Sequence, residues 1–474
     1  MSECVNFNRR DFLTGAAWMG AAALAGGCML DKPGFGVGGK MATFADKPFK
    51  KLRVGLIGLS RGLTALGFNR IPGCEVVAIC DLIPSRIEQA QKTIAKIGGR
   101  AAPKVYTGGP EEWKRLCDDP NVDLVYNATP WELHVPISLY AMNAGKHVAV
   151  EVPGALTVEG CWALVETSEC LNRHCMMLEN CCYGQNELLA LNLCKSGVLG
   201  EVFHGEGAYI HDLRDLNYRD FNMANPGHYA YPEHWMLLKH LKSRKGNRYP
   251  THGLGPLCWC MDINRGDRFD YLVSLESDPR SFQAFAKDMY PADSWKAQLK
   301  PEVGDINTMM IKTVKGKSIM IQFSMSSPRP YSRLNTVTGT KGILQDYPLR
   351  MGWGKSPKDE VHSFFDAKTQ QEMIAKYNHP LWKQAGEIAK KIGGHGGMDF
   401  LMILRLAYCL QSGLPLDENV YDLASWSCLC ELSEKSVRNR SQSVDIPDFT
   451  NGGWERTAPL GDLTVDLGKL GFAV

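Results

Sequence analysis

The sequence predicts an α/β protein in two folded parts. The first is a doubly wound parallel sheet, and the second is an α/β domain on an open, mostly antiparallel sheet. Three observations carry this expectation. Over residues 51–150, short apolar runs alternate with helical stretches across short connections, as βαβ units do. From residue 201 onward, several segments alternate apolar and polar residues with period two, as half-exposed strands do. The chain of 474 residues also exceeds what one core normally organises, at roughly 150 residues per domain.

The elements follow in order. Residues 53–58 form an apolar run ending in Gly58, the look of a buried parallel strand. A glycine turn to Gly62 leads into a helical stretch ending at Ile71. A second strand, 75–80, ends on Asp81, and Pro84 then opens a helix to Ile97, since proline suits a first helical turn. Strands are expected over 104–106, 122–127 and 147–150, with helices over 111–117 and 133–144. The second part shows strand patterns over 201–211, 271–276, 306–313, 318–323 and 334–338, and helices over 397–410 and 420–437. Gly393-Gly394-His395-Gly396-Gly397 reads as a flexible loop able to approach a ligand. The resulting division is a signal over 1–30, a linker over 31–50, a dinucleotide domain over 51–180, a substrate domain over 181–450 and a tail over 451–474.

Composition narrows the function. Apolar residues are 44% and charged residues 22%, which excludes wholesale disorder and fibrous rods. Lys plus Arg is 53 against 51 Asp plus Glu, so nothing in the charge favours nucleic acid or an anionic membrane surface. Arg9-Arg10 with Phe12-Leu13 precedes an uncharged run, 15–30, that falls short of the ~20 residues needed to span a bilayer. This reads as a twin-arginine-type secretory signal, with a cleavage candidate at Ala23-Leu24-Ala25 and a candidate lipid anchor at Cys28. The expectation is periplasmic export without a membrane span. The 16 cysteines include no CxxC pair, so most read as small buried hydrophobes and no metal is expected.

Ligands of doubly wound sheets bind at the carboxyl ends of the strands. After the first strand comes a turn, with Ser60, Arg61 and Gly62, whose amides are placed to meet a phosphate at a helix start. Ser60 stands where the middle glycine of GxGxxG would be. After the second strand comes Asp81, at about the twenty-residue spacing of the carboxylate that binds adenosine ribose hydroxyls. A carboxylate there favours NAD and repels the extra phosphate of NADP. Trp131, Glu132, Leu133 and His134 follow the fourth strand, and Glu151-Val152-Pro153 follows the fifth. Together these point to a Rossmann domain that binds NAD.

These strand ends resemble the Gfo/Idh/MocA oxidoreductases, most of which carry a catalytic lysine in Glu-Lys-Pro where this chain has Val152. The second half resembles one branch, glycoside hydrolase family 109. The blocks that carry the likeness are Asn180-Cys181-Cys182-Tyr183-Gly184, Gly205-Glu206-Gly207-Ala208-Tyr209-Ile210-His211-Asp212, Tyr249-Pro250-Thr251-His252-Gly253-Leu254-Gly255-Pro256, Asn264-Arg265-Gly266-Asp267-Arg268-Phe269-Asp270 and Ser327-Pro328-Arg329-Pro330-Tyr331-Ser332-Arg333. The likeness spans residues 45–450. It implies an NAD-dependent glycosidase acting on α-N-acetylgalactosaminides. It further implies that Trp131, His134, Glu151, Val152, Asn180, Tyr249 and His252 contact NAD, with Pro250 and Thr251 in the same block, while Tyr209, Tyr249 and Tyr331 contact substrate.

Once NAD is granted, the chemistry is a transient oxidation. A ketone at sugar C3 acidifies the C2 proton, the aglycone leaves C1 by elimination, water adds, and C3 is reduced again. Such a site needs groups that move protons, and His252, Tyr183 and Tyr249 are the candidates. A tyrosine, with pKa near 10, is a poor base unless a cation or relay lowers it. Relatives place a substrate-binding arginine shortly before the Tyr249 block, whereas this chain reads Trp235-Met236-Leu237-Leu238-Lys239-His240. A homo-oligomer is expected. A sugar 3-dehydrogenase releasing a keto-sugar, and a non-catalytic NAD- and sugar-binding protein, stay open as alternatives.

Overall fold

A computed structural model of the chain describes residues 38–99, 101–214, 240, 242–354 and 358–472. The leader with Arg9, Arg10, Ala23 and Cys28, and the stretch through Trp235, Met236 and Lys239, lie outside the described residues.

The first sheet is built from β1 (Leu52–Ile57), β2 (Cys74–Cys80), β3 (Lys104–Tyr106), β4 (Leu124–Asn127), β5 (His147–Val150) and β6 (Cys175–Met177). Its order is β3-β2-β1-β4-β5-β6, and every pairing is parallel. Strands β4, β5 and β6 are buried at every position, which is why they read as unbroken apolar runs. The order reverses between β1 and β4, and this switch point opens a crevice at the strand ends. The helical stretch after β1 is a 3-10 helix, Arg61–Arg70. Strand β6 is only three residues long, too short to show a period in sequence.

The second sheet contains β7 (Val202–Ile210), β8 (Phe269–Glu276), β9 (Asn307–Thr313), β10 (Ser318–Ser324), β11 (Thr336–Gly339), β12 (Gly342–Gln345), β13 (Arg350–Trp353) and β14 (Val444–Asp445). Its order is β13-β12-β11-β7-β10-β9-β8-β14. Only the β7–β10 pair is parallel. One hydrophobic core joins the two sheets, running from Leu52 and Val150 through Leu254 and Trp426 to Ile321 and Leu344. Among the described residues the free cysteines are buried, apart from the half-buried Cys194.

Residues 39–50, expected as a linker, are tied to the body. The Met41 amide donates to the Tyr421 hydroxyl at 3.2 Å, the Phe49 amide donates to the Leu410 carbonyl at 3.1 Å, and Asp46 bonds His147 Nε2 at 3.0 Å. In the tail, Leu463, Val465 and Leu470 are buried. No helix among the described residues is long and apolar enough to cross a membrane.

Candidate active site

The crevice at the strand ends begins with the turn after β1. Gly58 has φ +88°, and a Cβ there would lie 2.4 Å from the Ala128 carbonyl oxygen, so only glycine fits. Ser60 caps the 3-10 helix Arg61–Arg70 by position, but its side chain makes no capping bond. The first amides of that helix are therefore not taken by its hydroxyl. Asp81 leaves β2 and closes this turn: Oδ2 accepts the Leu59 amide at 2.7 Å and Oδ1 accepts the Ile83 amide at 2.9 Å. Helix-start amides, glycine at the contact and a carboxylate at the end of β2 together fit the phosphates and ribose of a dinucleotide.

The loops after β4 and β5 are bound to each other. Trp131 Nε1 donates to the Val152 carbonyl at 3.1 Å. His134 lies between two carbonyls, with Nδ1 at 2.8 Å from Pro153 and Nε2 at 2.9 Å from Thr129. Burial holds this imidazole below its ordinary pKa. These two residues shape the cofactor crevice with bonds internal to the protein, while Glu132 and Leu133 are exposed beside them. Val152 is buried. Glu151, next to it, has its pKa pushed up to about 7, chiefly by burial, against a 2.8 Å bond from the buried Tyr126 phenol.

The block around His252 is not the turn that its glycines and prolines suggest. It is a helix, Thr251–Cys260, with Pro256 inside and Leu254, Leu257 and Trp259 buried. The glycines serve close approach. A Cβ on Gly207 of β7 would lie 2.1 Å from the Gly253 carbonyl oxygen, and a Cβ on Gly253 would lie 2.2 Å from the Ala208 nitrogen. On the other side, a Cβ on Gly255 would meet Cys182 and Trp426 at 2.9 Å and Glu179 at 3.0 Å. Main chain packed on main chain places His252, in the first helical turn, beside Tyr209 of β7.

His252 is the centre of an aromatic cluster. Its ring centroid lies 4.7 Å from Tyr249 and 5.4 Å from Tyr209, Tyr249 stacks on Trp131 at 5.9 Å, and Tyr209 meets Tyr331 at 6.1 Å. Pro250 and Thr251 are buried at the start of the helix. Burial pushes the Tyr209 phenol up to about 12 and raises Tyr249 and Tyr331 as well, so these phenols stay protonated and act as hydrogen-bond partners. Arg333 donates to the Tyr331 hydroxyl at 2.9 Å and is itself held by Glu187, 3.0 Å from Nε.

Tyr183 stands apart from this cluster. It is fully buried, its hydroxyl donates to Asp417 at 3.1 Å, and burial drives its pKa well up. The structure thus corrects its assignment as a proton carrier: its one polar group is spent inside the core.

Two acidic residues escaped the sequence reading. Glu179, fully buried at the end of β6, accepts His252 Nδ1 at 2.7 and 2.9 Å. Burial works to raise its pKa, yet His252, Thr251 and the Cys181 amide hold it below the ordinary value. Asp399 accepts Asn180 Nδ2 at 2.6 Å and His395 Nδ1 at 2.8 Å. Its bond raises the His395 pKa. His395 lies on the glycine loop with φ +43°, and its side chain is 57% exposed. The clue to this pair was the loop itself, which carries a titratable side chain between four glycines. Glu179, Cys181 and His252 offer ligand atoms within 4.8 Å of one another. The carboxylate is already committed to the imidazole and the Cys181 amide, and burial keeps the Cys181 thiol protonated, so the trio reads as a hydrogen-bond unit.

The chain is similar to known proteins over most of its length. Residues 183–456 match the family "Glycosyl hydrolase 109, C-terminal domain", and residues 52–178 match "Oxidoreductase family, NAD-binding Rossmann fold". An alpha-N-acetylgalactosaminidase of Bacteroides fragilis is 46% identical over 87% of this chain and 95% of its own. Another from Shewanella oneidensis is 42% identical over 96% and 99%. Among solved structures, levoglucosan dehydrogenase in complex with NADH and levoglucosan superposes with TM-score 0.61 at 18% identity, covering 84% of this chain and all of that one. An aldose-aldose oxidoreductase of Caulobacter crescentus gives 0.56 at 18% over the same shares. These two likenesses show the shared fold. Taken with the sequence relatives and both family matches, they place the chain in glycoside hydrolase family 109, with an NAD-binding Rossmann domain in front of it.

Proposed function

We propose that the protein hydrolyses α-N-acetylgalactosaminides, or a closely related α-glycoside, by transient oxidation at sugar C3. The observation that carries this reading is the number of separate proton-handling groups in one crevice. A simple alcohol dehydrogenase needs one base. Here His252–Glu179, Glu151 and His395–Asp399 are three, with Arg61 close enough to act on Glu151, His395, Tyr209 and Tyr249. NAD, held at the turn through Ser60, Arg61 and Gly62 and at Asp81, would supply a reversible acceptor for the C3 hydrogen with its electron pair. Every other task falls to the chain: His252 accepts the C3 hydroxyl proton, Glu151 with its near-neutral pKa removes the acidified C2 proton, and His395 hands a proton to the leaving oxygen at C1. Tyr209, Tyr249 and Tyr331 form an aromatic wall that orients the sugar. Asp81 would hold the ribose, and the turn through Ser60, Arg61 and Gly62 would hold the phosphates.

The Arg9-Arg10 leader supports export to the periplasm as a folded, cofactor-loaded protein, with Cys28 as a lipid-anchor candidate. Exposed Tyr271, Leu275 and Met310 on the second sheet support assembly as a homo-oligomer.

The test is a panel of nitrophenyl α- and β-glycosides run in heavy water. Hydrolysis of the N-acetylgalactosaminide with deuterium at C2 of the product supports the mechanism, as does inertness of a 3-deoxy analogue. Rapid turnover of the 3-deoxy sugar without C2 label refutes it, since ordinary double displacement works only at C1. Accumulating NADH and keto-sugar would make the protein a dehydrogenase instead.

A further inference from the structure

We propose that Glu179 is a positioning residue for the reaction: it fixes His252 as the Nδ1–H tautomer, directs Nε2 at the substrate, and balances the charge of the imidazolium formed when Nε2 takes a hydroxyl proton. The inference rests on the reading of His252 given above and adds a residue to it.

Geometry carries the argument. Nδ1 of His252 lies 2.7 and 2.9 Å from the two carboxylate oxygens of Glu179. An ionised carboxylate can only accept, so the proton between them belongs to Nδ1. Nε2 then bears the lone pair, and it has no protein partner among the described residues. The carboxylate cannot drift, because Oε1 also accepts the Cys181 amide at 3.0 Å and the side chain is fully buried. Such a base held by an oriented acid is the arrangement that activates hydroxyls in other folds.

A second carboxyl shows why the charge stays on Glu179. Glu418 is fully buried behind it and accepts the Glu179 amide at 3.2 Å. Burial, and then the charge of Glu179, drive the Glu418 pKa well up, so it remains neutral. Two carboxyls in contact with one stretch of backbone thus divide into one charged and one neutral member, and the charge faces His252. When the substrate hydroxyl ionises, its proton goes to Nε2 and the C–O bond becomes a carbonyl. A bound oxidised dinucleotide would supply the acceptor for the two electrons and the carbon-bound hydrogen, and Glu179 forms no covalent bond.

The test uses the full NAD-loaded protein. Imidazole nitrogen-15 NMR of the wild type should show His252 protonated at Nδ1 and bare at Nε2, and Glu179→Gln should move the proton to Nε2. In steady state, Glu179→Gln should lower kcat by about 10²–10⁴-fold with KM and NAD affinity unchanged, and a C3-deuterated substrate should then show a larger isotope effect. In a His252→Ala background the same substitution should cost nothing further, because it acts only through the imidazole. Glu179→Asp keeps the charge and should recover part of the rate. A wild-type His252 bare at Nδ1, or an equal loss from Glu179→Gln with and without His252, would overturn the proposal. Absence of sugar oxidation in the wild type would remove the parent reading alone, and the tautomer measurement would still decide the role of Glu179.

Discussion

The two sides of the crevice spend their polar groups differently. On the Rossmann side they are consumed by the protein. Both Asp81 oxygens hold amides, both His134 nitrogens face carbonyls, and the Trp131 nitrogen holds Val152. On the opposite side each key group is half-used: His252 commits Nδ1 and His395 commits Nδ1, while the rest of each ring is left to a ligand. The lesson is a division of labour. Glu151 apart, one wall is a fixed mould for a cofactor that ends each cycle unchanged, and the other is a set of half-bonded groups that must change protonation.

That contrast can be broken by mutation, and the largest effect is expected on the half-bonded side. His252→Ala should lower kcat by about 10²–10⁴-fold, as loss of a general base does, with only a small loss of NAD affinity from the contact that the resemblance implies. Titration of NAD by calorimetry alongside the kinetics checks both halves, and a large loss of NAD affinity would merge the two walls. On the mould side, Asp81→Ala should weaken NAD by about 1.5–3 kcal/mol, the range for hydrogen bonds to a charged group. Because Asp81 also holds Leu59, the melting temperature should fall with it; unchanged melting would mean that the turn stands without the carboxylate.

A third test addresses the seam between the walls. Gly207→Ala pushes a methyl into the Gly253 carbonyl and should cost about 1–3 kcal/mol by overpacking, with a loss of kcat from displaced His252. Denaturant unfolding measures the first and activity the second. The smallest effect concerns Glu151. Acting as an ionised base, it gives a rate that falls as pH drops through about 7. Tyr126→Phe removes a bond favouring the charged form, so this limb should move up by about one pH unit. The same raised pKa favours the folded state when the group is protonated: that stabilisation is full below the ordinary carboxyl range and fades as pH rises through about 7.

Sequence alone located the mould and His252 but not the acidic partners that hold the half-bonded groups, for a physical reason. Strand ends are local: an apolar run, then Gly58, Asp81 or Glu151, is visible within a few residues. Glu179–His252 and Asn180–Asp399 join residues far apart in the chain, and no periodicity announces such partners. His252 itself was found by its motif while its helix was missed, because Gly253, Gly255 and Pro256 are helix breakers unless another backbone needs to come close. Tyr183 shows the converse. Its motif was noticed, but burial beside Asp417 decides its role, and burial is a tertiary property. The strands of the second sheet were read well through β11, while β12, β13 and β14, at two to four residues, were too short to show a period.

The main-chain contact between Gly207 and Gly253 also bears on how the molecule moves. A cleft that sheds its cofactor every cycle needs a hinge or a sliding interface to open. Here the helix bearing His252 meets β7 main chain to main chain at Gly207 and Gly253, and on its other face Gly255 lets it close onto the side chains of Cys182, Trp426 and Glu179. That contact fixes the helix, and with it His252, against Tyr209 of β7. Freedom to move with a ligand is left to the exposed groups at the rim, Tyr331 and His395, rather than to the element that carries His252.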